Sequence, residues 1–595
     1  MSVMVRIALL RPMARLGPHR WGPRLAEVLV TRSQVVSGLP GSTARRTAAA
    51  EEAVTLCRRL AAERPDQHRV ALARALVARA AAPDTVPVAE AIGQLREAIG
   101  YVEDTDDRSE LVVLATARGL LALNLHLCGE VREALRLALR ARATWRACGS
   151  LRPPERMRLA RALLTIGEVK ESLGRTEEAN TVRREALELH RGLSAYRRIQ
   201  WTGVGASAAT DLARGLAVTG AAREAFELIK ESRVDVELWS RVQPRSGRPL
   251  LARAMLIEAE CRAQLDDPEA AVRLAEQAVG QQRAMVTAGT PHSGVALAHG
   301  LLVLGNLTAR VGRPDDAAAH LTEAAALARD GHDDVLARAL SDMLELRAAA
   351  GDRAAVGVLL AEFLPLGRAN AGRLPEVWRP RLAHALLIRC ALTVDELTTG
   401  SGGSPAAAPG RCGTAPPDGP AADGLAGGGA TGAGRDGDGL AAGREAVELA
   451  RLLAGGDPAY RDLLGRCLFT LAGAVNLAGD ARGSAELLRE CVTVRRELFG
   501  VDPAAIRLGL AEALCNLGNR MHALDRLEEA VGIYRECLDL LRADPDRIDR
   551  AELLTPLRNL GLTLSRLDRR AEAERVRDEV AAVQETVDAG RSDPS

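Results

Sequence analysis

One spacing recurs along the chain and sets what it can fold into. A Leu-Gly or Leu-Ala pair is followed seven residues after its small member by a Gly or Asp, and five residues later by an Ala. At Leu517-Gly518 the later residues are Asp525 and Ala530, with the large Tyr534 four further on; at Leu560-Gly561 they are Asp568 and Ala573. Leu304-Gly305 leads to Gly312 and Ala317, and Ile166-Gly167 to Gly174 and Ala179. Weaker copies run through Ala122, Gly129 and Ala134; Ala213, Gly220 and Ala225; Ala259, Asp266 and Ala271; and Ala472, Gly479 and Ser484. The pattern suits two helices packed back to back. The small residue of the first and the Ala of the second sit where the backbones cross most closely. The Gly or Asp between them ends one helix and starts the next.

Composition agrees. Apolar residues make up 47% of the chain, yet only 5 Trp, 4 Tyr and 4 Phe are among them, so the apolar surface is mostly Ala, Leu and Val. Sheets draw on aromatic and β-branched side chains, whereas Ala and Leu lose least on entering a helix. The expected fold is all-α, a solenoid of about eleven or twelve stacked hairpins, each burying its apolar faces on its neighbours.

These residues resemble the tetratricopeptide repeat family, whose signature joins a Leu-Gly pair, a later Ala, a large residue and a closing Pro. Pro65 lies twelve residues after Ala53, and Pro458 twelve after Ala446, at the family's closing offset. The resemblance implies a right-handed superhelix. The intervals between Ala134, Ala179, Ala225, Ala271 and Ala317 are 45 and then 46 residues, above the family's basic period and in the range of HEAT and armadillo arrays. The offset from Leu-Gly to Ala is kept, so the surplus falls outside it and lengthens helices. Cys491 to Pro503 looks like the lengthened-helix variant of kinesin light chains and many bacterial members. Two copies are poor, one around Ser341 to Ala361 and one around the turn Ala81 to Pro87.

Five segments are expected: a basic, disordered extension at 1–20, a helical array at 21–398, a Gly/Ala/Pro-rich flexible linker at 399–439, further repeats at 440–588 and a polar tail at 589–595. The linker is too poor in apolar residues to offset its ordering entropy, and helical pattern on both sides places it inside one repeat's turn.

Little chemistry is visible. Lys170 and Lys230 are the only lysines and neither follows a Gly, so a phosphate loop of the Walker type is excluded. The arginine and alanine bias fits a high-GC, actinobacterial coding sequence. Neighbouring cysteines lie too far apart for a zinc knuckle, and no histidine pair has metal spacing, so neither metal nor cofactor is expected. With 79 basic against 78 acidic residues no field attracts nucleic acid. No signal peptide or membrane span is read, and the cysteines suit a reducing, cytoplasmic setting. The leading expectation is a non-catalytic scaffold that binds a protein or peptide in the groove of the superhelix; the alternative is a ligand- or peptide-sensing regulator acting through a separate effector. The resemblance makes asparagines beside the Leu-Gly pair peptide contacts, which singles out Asn516, Asn519, Arg558, Asn559 and Asn306. Ordinary hydrogen bonding between repeats is the other reading of each. The two-carboxylate clamp of chaperone-binding members requires a Lys and Arg set that this chain does not show.

Overall fold

The Gly or Asp at each predicted turn takes a left-handed backbone. Gly129, Gly174, Gly220, Gly312 and Gly479 have φ of 81°, 75°, 83°, 74° and 90°, and Asp266, Asp525 and Asp568 have 64°, 60° and 56°. In each copy the next N–H returns to a carbonyl five residues back, as from Arg175 to Lys170 (2.9 Å), Arg526 to Met521 (2.9 Å) and Arg569 to Leu564 (3.0 Å). This bond closes the helix end in a Schellman motif and satisfies carbonyls the helix leaves open.

The structure is a computed structural model that describes residues 3–34, 42–81, 86–194, 198, 201–290, 293–329, 331–400, 433–545 and 547–591. Among them are 25 α-helices and no strand, paired in succession along the chain. The surplus of the long period lies in helix length, since Pro153–Ser172 has 20 residues and Ala222–Val242 and Pro244–Gln264 have 21 each. Proline opens several of these helices, Pro65, Pro153, Pro244, Pro268 and Pro503 among them, where no N–H is needed.

Two compact units divide the chain, Met1–Met343 and Leu344–Ser595. The division falls in the helix Asp333–Ala349, within the poor copy, where Leu344 occupies the small position. The expected linker at 399–439 lies largely outside the described residues. Its flanking helices, Pro375–Gly400 and Ala433–Gly456, pack side by side as one hairpin. At the N-terminus, residues expected to stand apart form the helix Val3–Leu16, because Ile7 and Ala14 give it an apolar edge to bury. Arg108–Leu127 is long and apolar enough to cross a membrane by length and composition, but Leu114, Ala115, Leu121 and Leu125 are buried in the core of the first unit.

Ala134, Ala179, Ala225, Ala271, Ala317, Ala530 and Ala573 are fully buried. Ser484, in the same place, donates its hydroxyl to the carbonyl of Ala472 on the facing helix at 2.8 Å, which measures how near the backbones come. The glycines of the first helices serve a further purpose. A Cβ at Gly518 would lie 2.5 Å from the Tyr534 ring, one at Gly305 2.9 Å from Leu321, and one at Gly167 3.0 Å from Arg183. Each glycine therefore makes room for the side chain one helical turn beyond the Ala.

Within the first unit, first helices also pack on the first helices of neighbouring hairpins: Arg108–Leu127 on Pro153–Ser172, that on Thr202–Val218, and so on through Pro244–Gln264 and Ser293–Arg310. Second helices lack comparable contacts with one another. The layer of first helices is thus the tight, inner one. The second helices are bridged by long ion pairs, Arg184–Glu224 at 3.1 Å, Arg191–Glu231 at 2.8 Å and Arg283–Glu323 at 2.5 Å. The second unit repeats the device with Arg451–Glu490 at 2.5 Å and Arg496–Glu536 at 2.7 Å. Such exposed pairs contribute about 0–1 kcal/mol each.

Gly518→Ala is expected to destabilise the second unit by about 1–3 kcal/mol, since the Tyr534 ring must shift. Gly561→Ala, whose Cβ would meet only Val576 at 3.5 Å, should be neutral or slightly stabilising through helix propensity. Denaturant unfolding of both variants checks this; equal losses would refute the socket.

Candidate binding groove

Of the residues singled out in the second unit, two are spent on packing. Asn519 Oδ1 accepts from the Tyr534 hydroxyl at 2.7 Å and from Asn559 Nδ2 at 2.8 Å, and Asn559 is only 2% exposed. These join successive hairpins, and His522 adds a bond to the Thr563 hydroxyl at 2.8 Å beside them. Asn516 donates to the carbonyl of Glu512 in its own helix at 3.0 Å. Arg558 is exposed and donates to Gln584 at 2.9 Å. In the first unit, Asn306 is exposed and donates to Asp342 at 3.1 Å. The structure brings together Asn519 and Asn559 alone among the five.

Asn306 leads to a richer surface. It stands one residue after the small Gly305, and the equivalent places in preceding hairpins, at 46-residue steps, are Glu260, Arg214 and Glu168. A second row, seven residues earlier on each helix, holds His299, Arg253, Ser207 and Arg161. Both rows lie on the inner layer. Side chains of successive first helices meet there: Arg253 pairs with Asp211 at 2.9 Å, and Arg214 with Glu171 at 2.6 Å. Glu171 also takes the guanidinium of Arg183, fully buried in the socket at Gly167. The interval that revealed the alanines also marks these rows; reading it only at apolar places is what hides them.

Asn306, His299 and Arg161 of the rows are exposed, whereas Glu168 and Glu260 are half-buried, and the acidity of the two acids reflects it. Burial pushes the Glu168 carboxyl up to about 7, with Asp211 adding to the rise and Arg253, Arg214 and Arg183 opposing it. Burial likewise pushes Glu260 up to about 7 against Arg214. Burial and then Arg338 hold His299 below its usual value. Neither Glu168 nor Glu260 has an ion-pair or hydrogen-bond partner for its carboxylate among the described residues. A groove with paired arginines and two unpaired acids can hold a polar, extended ligand carrying positive charge. Among the described residues no three His, Cys, Asp or Glu gather to hold a metal. A cavity of about 430 Å³ lies elsewhere, between the second helices Thr176–Arg191 and Ala222–Val242, and is spanned by the Arg184 and Arg191 ion pairs.

Residues 510–543 match the tetratricopeptide repeat model, and residues 285–350 match that of anaphase-promoting complex subunit 5. The tetratricopeptide match is thus confined to residues 510–543, while both units are built from helical hairpins packed in succession. No curated protein sequence matches it. Among solved structures it is similar to a Rap protein complexed with competence and sporulation factor, at 12% identity and a TM-score of 0.42, over 69% of this chain and 94% of that one. It is also similar to the apo form of RapI, at 8% identity and a TM-score of 0.38, over 69% and 93%. Neither likeness bears on what this chain binds.

The raised acidity of Glu260 has a sign. Its folded pKa of about 7 lies above the ordinary 4.5, so the folded chain holds this proton more tightly and loses stability as pH rises between those values. Glu260→Gln should be neutral near pH 4 and stabilising above pH 7, on the order of 3 kcal/mol. Denaturant midpoints at both pH values check this; a shift independent of pH would refute it.

Proposed function

We propose that the chain is a non-catalytic scaffold that binds an extended peptide or protein segment along the inner face of the unit Met1–Met343. The observation that carries this reading is the pair of half-buried, unpartnered carboxylates, Glu168 and Glu260, set in a row with Arg214 and Asn306. Unpaired charge in such a place costs stability in the free chain, and a ligand's cationic groups would relieve that cost. With few rings to serve as anchors, recognition rests on charge and hydrogen bonds. Asn516 and Arg558 offer separate polar contacts in the second unit, whereas Asn519 and Asn559 act by joining repeats. Buried free thiols such as Cys57, Cys390 and Cys467, their pKa pushed up to about 12, suit the reducing cytoplasm.

Selection from a displayed random-peptide library against the full chain tests the reading. Binders rich in Lys or Arg are expected, and the double change Glu168→Gln with Glu260→Gln should weaken them at least about tenfold, or 1.4 kcal/mol. Binders indifferent to that change, or catalytic turnover by the purified chain, would refute it.

A further inference from the structure

In the first unit Arg183, Arg214 and Arg253 are each matched to an acid, whereas three other arginines that come together from distant segments are not. Arg46 lies on the helix Ser42–Glu63, and Arg158 and Arg161 lie on Pro153–Ser172, more than a hundred residues away. The last turn of Pro18–Gln34 meets two of them. The Ser33 carbonyl accepts from Arg46 Nε at 2.8 Å, and the neighbouring Gln34 side chain accepts from Arg158 at 3.4 Å. Arg161 is three residues from Arg158, on the same helix face. Among the described residues no carboxylate pairs with any of the three. The acid acting on Arg158 is Glu155, and its oxygens are engaged by Arg108 at 2.8 Å and by the backbone N–H of Arg152 at 2.8 Å. Burial lowers the basicity of all three, and for Arg161 the charges of Arg158 and Arg46 lower it further.

Three like charges brought near one another from elements distant in sequence, Arg46 and Arg158 half-buried and Arg161 exposed, disfavour the empty state. A carboxylate matches one guanidinium fork; a tetrahedral phosphoryl group, with charge near −2 and three free oxygens, can accept from three. We infer that Arg46, Arg158 and Arg161 form a phosphoryl-binding site that ties the N-terminal helices to the inner face of the array, and that the groove's ligand carries this group. The second clause rests on the peptide reading above; the first stands without it. Arg161 opens the same inner row system as Glu168, seven residues and about 10 Å further along the helix. The ligand so defined is a phosphorylated peptide with a basic residue about 10 Å from its phosphoryl group.

The test uses the full chain and inorganic phosphate, titrated calorimetrically against chloride at constant ionic strength. Saturable binding is expected, weakened at least tenfold by Arg161→Gln and by Arg46→Gln, and unchanged by Arg184→Gln on the outer layer. Unliganded Arg161→Gln should melt no lower than the parent chain, because it removes repulsion; this separates a lost site from a damaged fold. Absence of saturable binding, or binding indifferent to Arg161→Gln, overturns the site. Peptides from the display selection, made with and without phosphoserine, then identify the source of the phosphoryl group. Tighter binding of the phosphorylated form supports the full inference; equal binding of both forms overturns its second clause. Phosphate binding that survives while peptides ignore Glu168 and Glu260 leaves this site standing and removes the peptide reading.

Discussion

Everything in this chain depends on how closely the two helices of a hairpin can approach. The contact is set by a missing side chain on the first helix, filled by the residue one turn beyond the buried Ala of the second: Tyr534 at Gly518, Leu321 at Gly305, Arg183 at Gly167. Within the first unit, small residues let the first helices pack on each other as an inner layer. The second helices, which carry the bulk, are left further apart. Arg184–Glu224 and its counterparts span the resulting gaps, so arginine's long reach on the outside complements alanine's small volume within. Removing one such pair costs little, whereas filling one socket displaces a buried side chain.

The socket at Gly167 shows how packing becomes electrostatics. Arg183 stands where another hairpin has a ring, and its fully buried guanidinium meets Glu171, whose second oxygen holds Arg214. One carboxylate therefore serves two arginines, and Asp211 serves Arg253. A buried charge is tolerable only when so partnered. Once these matches are made, Glu168 and Glu260 remain over, and so do Arg158 and Arg161 on the helix of Glu168, with Arg46 beside them. The inner face is charged at both places by what the core has already used.

The fold was legible because its signals are local. Gly220 and Asp525 announce left-handed turns within a few residues of sequence, and Ala179 or Ala530 lies at a fixed distance from each. The candidate groove was legible only in part. Asn306 belongs to the inner row, but Asn559 looks similar in sequence and is buried against Asn519, because which way a polar residue beside the Leu-Gly pair points depends on how one hairpin rotates over the next. No local spacing encodes that rotation. The arginine cluster was less legible still, since it requires Gln34 and Arg158 to meet across 124 residues. The basic N-terminal stretch gave no sign that its apolar edge would be built into the array.

The shortage of aromatic residues then has a structural cause as well as a compositional one. Tyr534 requires a glycine opposite it, so a ring in the socket costs the first helix a side chain and some helix propensity. A chain that fills most sockets with aliphatic or arginine side chains forgoes buried rings, and with them the usual anchors for a partner. Apolar selectivity along the inner layer is limited for the same reason, because close packing of the first helices demands small residues there. Discrimination must fall to the places one after and six before the small residue, where polar side chains of successive first helices meet at the surface. Those places hold Glu168, Arg214, Glu260 and Asn306, and Arg161, Arg253 and His299. The geometry that makes the array possible thus confines recognition to charge placed at repeating intervals.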